Sequence, residues 1–431
     1  MNAELRVIKT PAEQGLADAY ASAKAKLPGK GAIASLREDA FKRFETQGLP
    51  NRRVEEWKYT DLRALMNEAL PLADTAATPA KIKTDFDKLK GCRLVFVDGA
   101  FEPKQSDTNA GPGVTIAPMA KALADGNPLL GAHMGKVFET RDPAVALNTA
   151  LMGDGALIHI AANTKVAEPI ILIFAGTQAA SVFTRSLIVV EPGAQVTLVE
   201  IHQSEATQAN NALELIVGDR AQVEHVKITE AKALHLSTLM ASVGAKARFA
   251  TFALTADSAV VRNQAFVHFK GNDTEAAIGG VSLLNGKQHV DTTLVIRHDA
   301  LRCVSRERFR SVVDGQSRTV FQGKIIVEPD AQKTDAKMVS NALLLSDEAE
   351  ADNKPELEIF ADDVQCGHGA TAGDLDEDLL FYLKARGIPH AEAEALLIQA
   401  FVGEAIEGIE HAGLRDALME QVVAWLRKRG S

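Results

Sequence analysis

Between residues 155 and 340 one apolar pattern returns at nearly constant intervals, and any fold proposed for the chain has to accommodate it. A first apolar residue is followed by others at +3 and +5 in Val196/Val199/Ile201, Val223/Val226/Ile228, Phe249/Phe252/Leu254 and Ile278/Val281/Leu283, with 27, 26 and 29 residues between first members. A glycine stands shortly before each, at Gly193, Gly218, Gly244 and Gly271. Runs rich in Val, Ile, Leu and Phe, separated by Gly, Asn and Asp, read as strands and turns. A period of this length is the mark of stacked supersecondary units. Because side chains of a strand alternate, the +3 step implies a bulge or corner in each unit. A β-solenoid accounts for the pattern, and on periodicity alone so does a β-sandwich. A solenoid has open edges at its two ends, and the helical patterns on either flank of the repeat are natural covers for them.

The flanks divide the chain into residues 1–150, an N-terminal helical and mixed cap; 151–370, the β core; and 371–431, a C-terminal helical domain. In the first, Ile33, Leu36, Ala40 and Phe44 recur at helical spacing, Pro28, Gly29 and Gly31 split the run in two, and Gly48 with Pro50 ends it. Residues 51–61, NRRVEEWKYTD, read as a loop that Trp57 pins to the core. Residues 71–90, with Pro71 and Pro79, read as a linker, residues 94–97 as a strand, and the short helical runs of 119–151 as a cap leading into the repeat.

The densest stretch chemically is residues 359–390. Gly367 and Gly369 flank His368, which suggests a loop carrying Cys366 and His368. A thiolate and an imidazole can share one iron or zinc ion, but such ions take about four donors and nothing nearby supplies the rest. Either the pair is a small buried Cys beside a hydrogen-bonded His, or a second chain completes a metal site. Beyond it, Asp374 or Asp376 caps a helix striped by Leu375, Leu379, Tyr382 and Leu383, with Lys384 and Arg386 in its last turn and Gly387 and Pro389 at its end. From Asp347 to Asp378 there are twelve acidic residues against one lysine, Lys354. They read as a solvated loop and a capped helix, or as a field that concentrates cations near Cys366 and His368.

The run DDVQCGHGATAGDLDEDLLFYLKARGI at 362–388, with NRRVEEWKYTDL at 51–62 and DPAVALNTALMGDG at 142–155, closely resembles the SufB/SufD family of iron–sulfur cluster assembly proteins, on its SufD side. The resemblance spans most of the chain. It implies a mainly β protein, a right-handed parallel β-helix flanked by N-terminal and C-terminal helical regions, acting as a non-catalytic scaffold. It implies a SufB-like homologous partner, a SufC-like ATPase bound through the C-terminal helices, a homodimer when the chain is alone, and a transient iron–sulfur cluster shared with the partner. His368 is then the first candidate donor and Cys366 the second, in a partial interface site; whether a flavin binds is left open. One departure is Gly367, where many relatives are expected to carry Ser, and the loop would be more flexible for it. A SufB chain would be longer and richer in cysteine than this one, which has three.

A formal charge of −10 argues against nucleic acid as a partner. The longest uncharged run, residues 169–184, falls short of the roughly 20 apolar residues of a membrane span. The charged N-terminus has no apolar core of a secretory signal, and three scattered cysteines fit a reducing compartment, so the cytosol is expected. There is no Walker A sequence, no CxxC, no HExxH and no GxSxG. His133, His159, His202, His225, His235, His268, His289 and His298 are scattered and read singly as structural or surface residues. The rival function is a carbohydrate-active β-helix enzyme whose groove would use Arg306, Arg308, Arg310 and Asp314.

Overall fold

The structure, a computed structural model, describes residues 9–75 and 80–429. The N-terminal stretch through residue 8 and Pro79 of the expected linker lie outside them. Helices α1 (Pro11–Ala23) and α2 (Ala32–Gln47) are separate, as Pro28 and Gly31 require. The short α3 (Leu62–Leu65), strands β1 (Cys92–Val97), β2 (Ala100–Phe101) and β3 (Val114–Pro118), and helices α4 (Met119–Asp125), α5 (Pro128–His133) and α6 (Pro143–Leu151) follow. Then the chain is strand upon strand: β4 (Ala156–Ile160), β5 (Ile170–Gly176), β6 (Ser181–Val190), β7 (Gln195–Ser204), β8 (Gln208–Val217), β9 (Gln222–Ala231), β10 (Leu234–Val243), β11 (Arg248–Thr255), β12 (Val260–Phe269), β13 (Glu275–Leu284), β14 (His289–His298), β15 (Val304–Val313), β16 (Arg318–Val327), β17 (Asp335–Leu344), β18 (Glu350–Ile359) and β19 (Gln365–Gly373). Helices α7 (Glu377–Ala385), α8 (His390–Ile406) and α9 (Ala412–Arg429) end the described chain.

From β4 on, odd strands form one sheet and even strands the other, each paired in parallel with the strand two further along. One strand from each sheet makes one coil, so the repeat is a parallel β-solenoid. Only β1–β2 and β3–β4 are antiparallel, at the start of the stack. The glycines before the repeats belong to the turns between sheets. A Cβ on Gly271 would stand 1.9 Å from the backbone nitrogen of Ala245 in the coil beneath, so no side chain fits there. Two residues after Gly218, Gly244 and Gly271 the turns take a left-handed residue, Arg220, Lys246 and Asp273, a position that Gly193 itself fills in the coil before.

The repeat carries no bulge. Strand β7 pairs with β9 one to one from Gln195↔Gln222 to Ser204↔Ala231, without a slip. The odd step in the apolar template instead switches faces. Val196, Val223, Phe249 and Ile278 point into the solenoid, whereas the residues at +3 and +5 point out and are buried beneath the C-terminal helices. The first three matches lie on the same ladder rungs; the fourth sits two residues off, since Phe249 pairs with Ala276. A shift of two keeps the same face, which is why the sequence still matched.

The helices cover flanks, not ends. Ile398, Val402, Ile406, Leu414, Leu418, Val422 and Trp425 of α8 and α9 pack on the outer face of the odd sheet. The N-terminal helices and α6 pack on the even sheet around Phe183 and Leu236, and α4 and α5 around Leu187 and Val189. The expected cap over residues 119–151 is therefore a side wall. At the C-terminal end, β18 and β19 each have one neighbour in their sheets, and their outer edges are open among the described residues.

Candidate functional site

The sequence placed Cys366 and His368 on a loop, and the structure puts both in β19. The strand forms because β17 is a template: Cys366 pairs with Ala336 and His368 with Met338. A ladder of backbone hydrogen bonds outweighs the small strand cost of Gly367 and Gly369. Neither glycine has a positive φ, and a Cβ on either would meet nothing within 4 Å, so these glycines mark no turn. A serine at 367 would fit the same extended backbone.

Two residues apart on a strand, Cys366 and His368 share its inward face. Cys366 is half-buried and packs on the edge of the solenoid interior, and His368 is exposed at the open end. Burial raises the Cys366 thiol above its usual range, with Asp335 and Glu307 adding to the effect. A metal would therefore have to displace a proton to use this sulfur. Among the described residues no group of three or more His, Cys, Asp or Glu is arranged to hold a metal ion. The donor types suit iron, but the chain brings only two of the about four needed. Cys92 and Cys303 are buried, their thiols raised by burial, and lie elsewhere in the fold.

Several large apolar side chains of the segment that carries the pair are exposed. Ile359 and Phe360 are 40% and 60% exposed, and Leu379, Phe381 and Tyr382 of α7 are 50%, 72% and 53% exposed. Helix α7 begins as expected, with Asp376 accepting from the Leu379 amide at 3.0 Å, yet it has no buried residue. Much of the acidic run is paired: Asp352 with Arg318, Glu358 with Lys324 and Asp363 with Lys333. Asp362, Asp374, Glu377 and Asp378 make no ion pair among the described residues.

Sequence reasoning missed the polar interior. Glu200, His202, His225, Lys227 and His235 are all buried inside the middle coils. His225 Nε2 lies 3.1 Å from Glu200, and Lys227 donates to Ser237 Oγ at 2.9 Å. Burial lowers Lys227 to about 8 and His202 to about 4. Glu307 is more isolated: it is 2% exposed, both carboxylate oxygens lack a partner, and burial pushes it up to about 8. It stands in the same inward column as Met338 and His368, two coils further in. The alternation in Ser305-Arg306-Glu307-Arg308-Phe309-Arg310 carried the signal, since the arginines and Glu307 cannot share a face.

Three of the four residues drafted for a sugar-cleaving groove hold the C-terminal helices instead, Arg308 by donating to the Glu404 carbonyl at 3.2 Å. Arg310 pairs with Glu404 and lies 4.5 Å over the ring of Phe401, and Asp314 pairs with Arg429. Arg306 and Arg308 remain on the outer face of β15.

Residues 11–172 match the family described as the SufBD protein N-terminal region, and residues 173–401 match the SufBD core domain of SUF system FeS cluster assembly. An iron–sulfur cluster assembly SufBD family protein of Synechocystis sp. is 30% identical over 90% of each chain. The iron–sulfur cluster assembly protein SufD of Escherichia coli is 31% identical over 87% of this chain and 89% of its own length. The protein of that name from Bacillus subtilis is 24% identical over 90% of this chain and 93% of its own.

Proposed function

Since the chain belongs to the SufBD family of the SUF system of iron–sulfur cluster assembly, we propose that it is a non-catalytic, SufD-type scaffold subunit that receives a nascent cluster at an interface. The observation that carries this reading is the open last coil, with two soft-metal donors on its free strand. Iron and sulfide are the cargo. His368 supplies a neutral imidazole, Cys366 gives up its proton to become a thiolate, and a partner chain supplies the remaining ligands.

The partner that fits the edge is a homologous solenoid. The open outer edges of β18 and β19 offer backbone donors and acceptors to the end strands of a second solenoid, and exposed Ile359 and Phe360 add apolar area. Self-pairing at the same edge would account for a homodimer of the isolated chain. A SufC-like ATPase is assigned to the C-terminal helices, where α7 exposes Leu379, Phe381 and Tyr382. Three free thiols suit the cytosol.

Co-expression with a SufB-like subunit and a SufC-like ATPase tests this. His368→Ala should leave the complex intact on size-exclusion chromatography and lower its iron and acid-labile sulfide at least several-fold. Acid should weaken loading in the wild type, because imidazole binds metal only as the neutral ring. A His368→Ala complex that fills as well as wild type removes His368 from the site.

A further inference from the structure

A groove of about 440 Å³ lies outside the solenoid, between the odd sheet and the end of α8. Its floor is Ala250, Ala277 and Gly279 of β11 and β13, and its helical wall is Ala405, Gly408 and Ile409. At one side stand Arg306 and Arg308 of β15 and Lys337 of β17. The ladder register sets Arg306 directly against Lys337. Neighbouring strands are about 4.8 Å apart, and like charges in register repel.

The fold relieves that repulsion on the Arg306 side only. Asp335 neutralises Arg306 at 2.6 Å. Arg308 donates only to the Glu404 backbone carbonyl, at 3.2 Å, and Lys337 is exposed with no ion pair among the described residues. The carboxylates nearby are engaged elsewhere, Glu224 by the backbone amides of Glu410 and His411 and Glu404 by Arg310. Two cations thus face a groove whose floor includes the small side chains Ala250, Ala277 and Gly279.

We propose that this groove is a nucleotide site: the phosphates sit on Arg308 and Lys337, and the base lies on the Ala250–Ala277–Gly279 floor beside Val339. Guanidinium and ammonium groups suit phosphate oxygens, and an open floor of Ala and Gly beside a helix end admits a planar ring. The volume is that of a small-molecule pocket. The site lies on the outer face, opposite the inward face that carries Cys366 and His368, with Lys337 in register with Gly367 between them, and no hydrolysis is implied.

The test uses the full chain with ADP, pyrophosphate and adenosine as probes, in equilibrium dialysis and thermal unfolding at ionic strength held constant with KCl. ADP should bind one equivalent, raise the unfolding temperature, and bind at least tenfold more tightly than either fragment. Lys337→Gln should weaken ADP at least tenfold while leaving the unliganded chain as stable as wild type or more so, because a like-charge contact is gone. Ala277→Phe, which fills the floor, should abolish ADP binding. ADP acting no better than chloride overturns the proposal. So does pyrophosphate binding as tightly as ADP, or ADP binding that Lys337→Gln and Ala277→Phe leave unchanged.

Discussion

Glu307 shows how a single residue records what the solenoid does to charge. An unfolded glutamate titrates near about 4.3, whereas burial holds the Glu307 proton up to about 8. Between those pH values the folded chain keeps a proton the unfolded chain has lost. Stability therefore falls as pH rises through that window, and the loss is complete above it. Glu307→Gln keeps the shape and removes the titration, so urea unfolding at pH 5 and pH 8 should show the variant gaining up to a few kcal/mol on wild type at the higher pH. A difference independent of pH would mean that Glu307 is ionised in the fold. The residue pair at the open end was legible in sequence as a pair, but its backbone was not. Gly367 and Gly369 read as turn residues, and only the register with β17 makes Cys366 and His368 neighbours on one inward face.

At the scale of elements, the segment 51–61 is a strap rather than a loop pinned at one point. Trp57 is fully buried, donates from Nε1 to Asp142 at 2.9 Å, and lies 3.9 Å from the Arg262 guanidinium. Arg262 in turn pairs with Asp291 and donates to the Glu56 carbonyl at 2.7 Å. The strap thus ties the N-terminal region to β12 and β14, and Lys354 with Glu55 extends the tie to β18 in the last coil. Trp57→Ala removes a large buried side chain and leaves Arg262 and Asp142 short of partners. It should cost about 3–5 kcal/mol in urea unfolding, and a loss below about 1 kcal/mol would show that the strap is not held by this residue. Burial of the tryptophan was readable from its place among charges. Its partners were not, because Asp142 and Arg262 are 85 and 205 residues away in the chain.

At the scale of the whole molecule, helices cover both flanks, and the open final coil leaves Ile359 and Phe360 exposed. If that coil is the docking surface for a homologous subunit, Phe360→Lys should leave unfolding within about 0.5 kcal/mol of wild type, since Phe360 is 60% exposed. The same change should weaken association at least tenfold in a sedimentation or pull-down titration, and unchanged association would move the interface elsewhere. The sequence by itself determined the repeat length, the strand content, the breaks between helices, the capped start of α7 and the two-residue spacing of the candidate donors Cys366 and His368. Those features rest on local chemistry: alternation, glycine and proline geometry, and side-chain caps. The tertiary structure alone decided which face each apolar residue takes, that helices line the sides and not the ends, and that Cys366 and His368 lie in a strand. The strand and face assignments depend on hydrogen bonds and burial between coils about 27 to 31 residues apart, the helix placement on contacts far more distant in the chain, and a strand's partner across such gaps leaves no mark on its own residues.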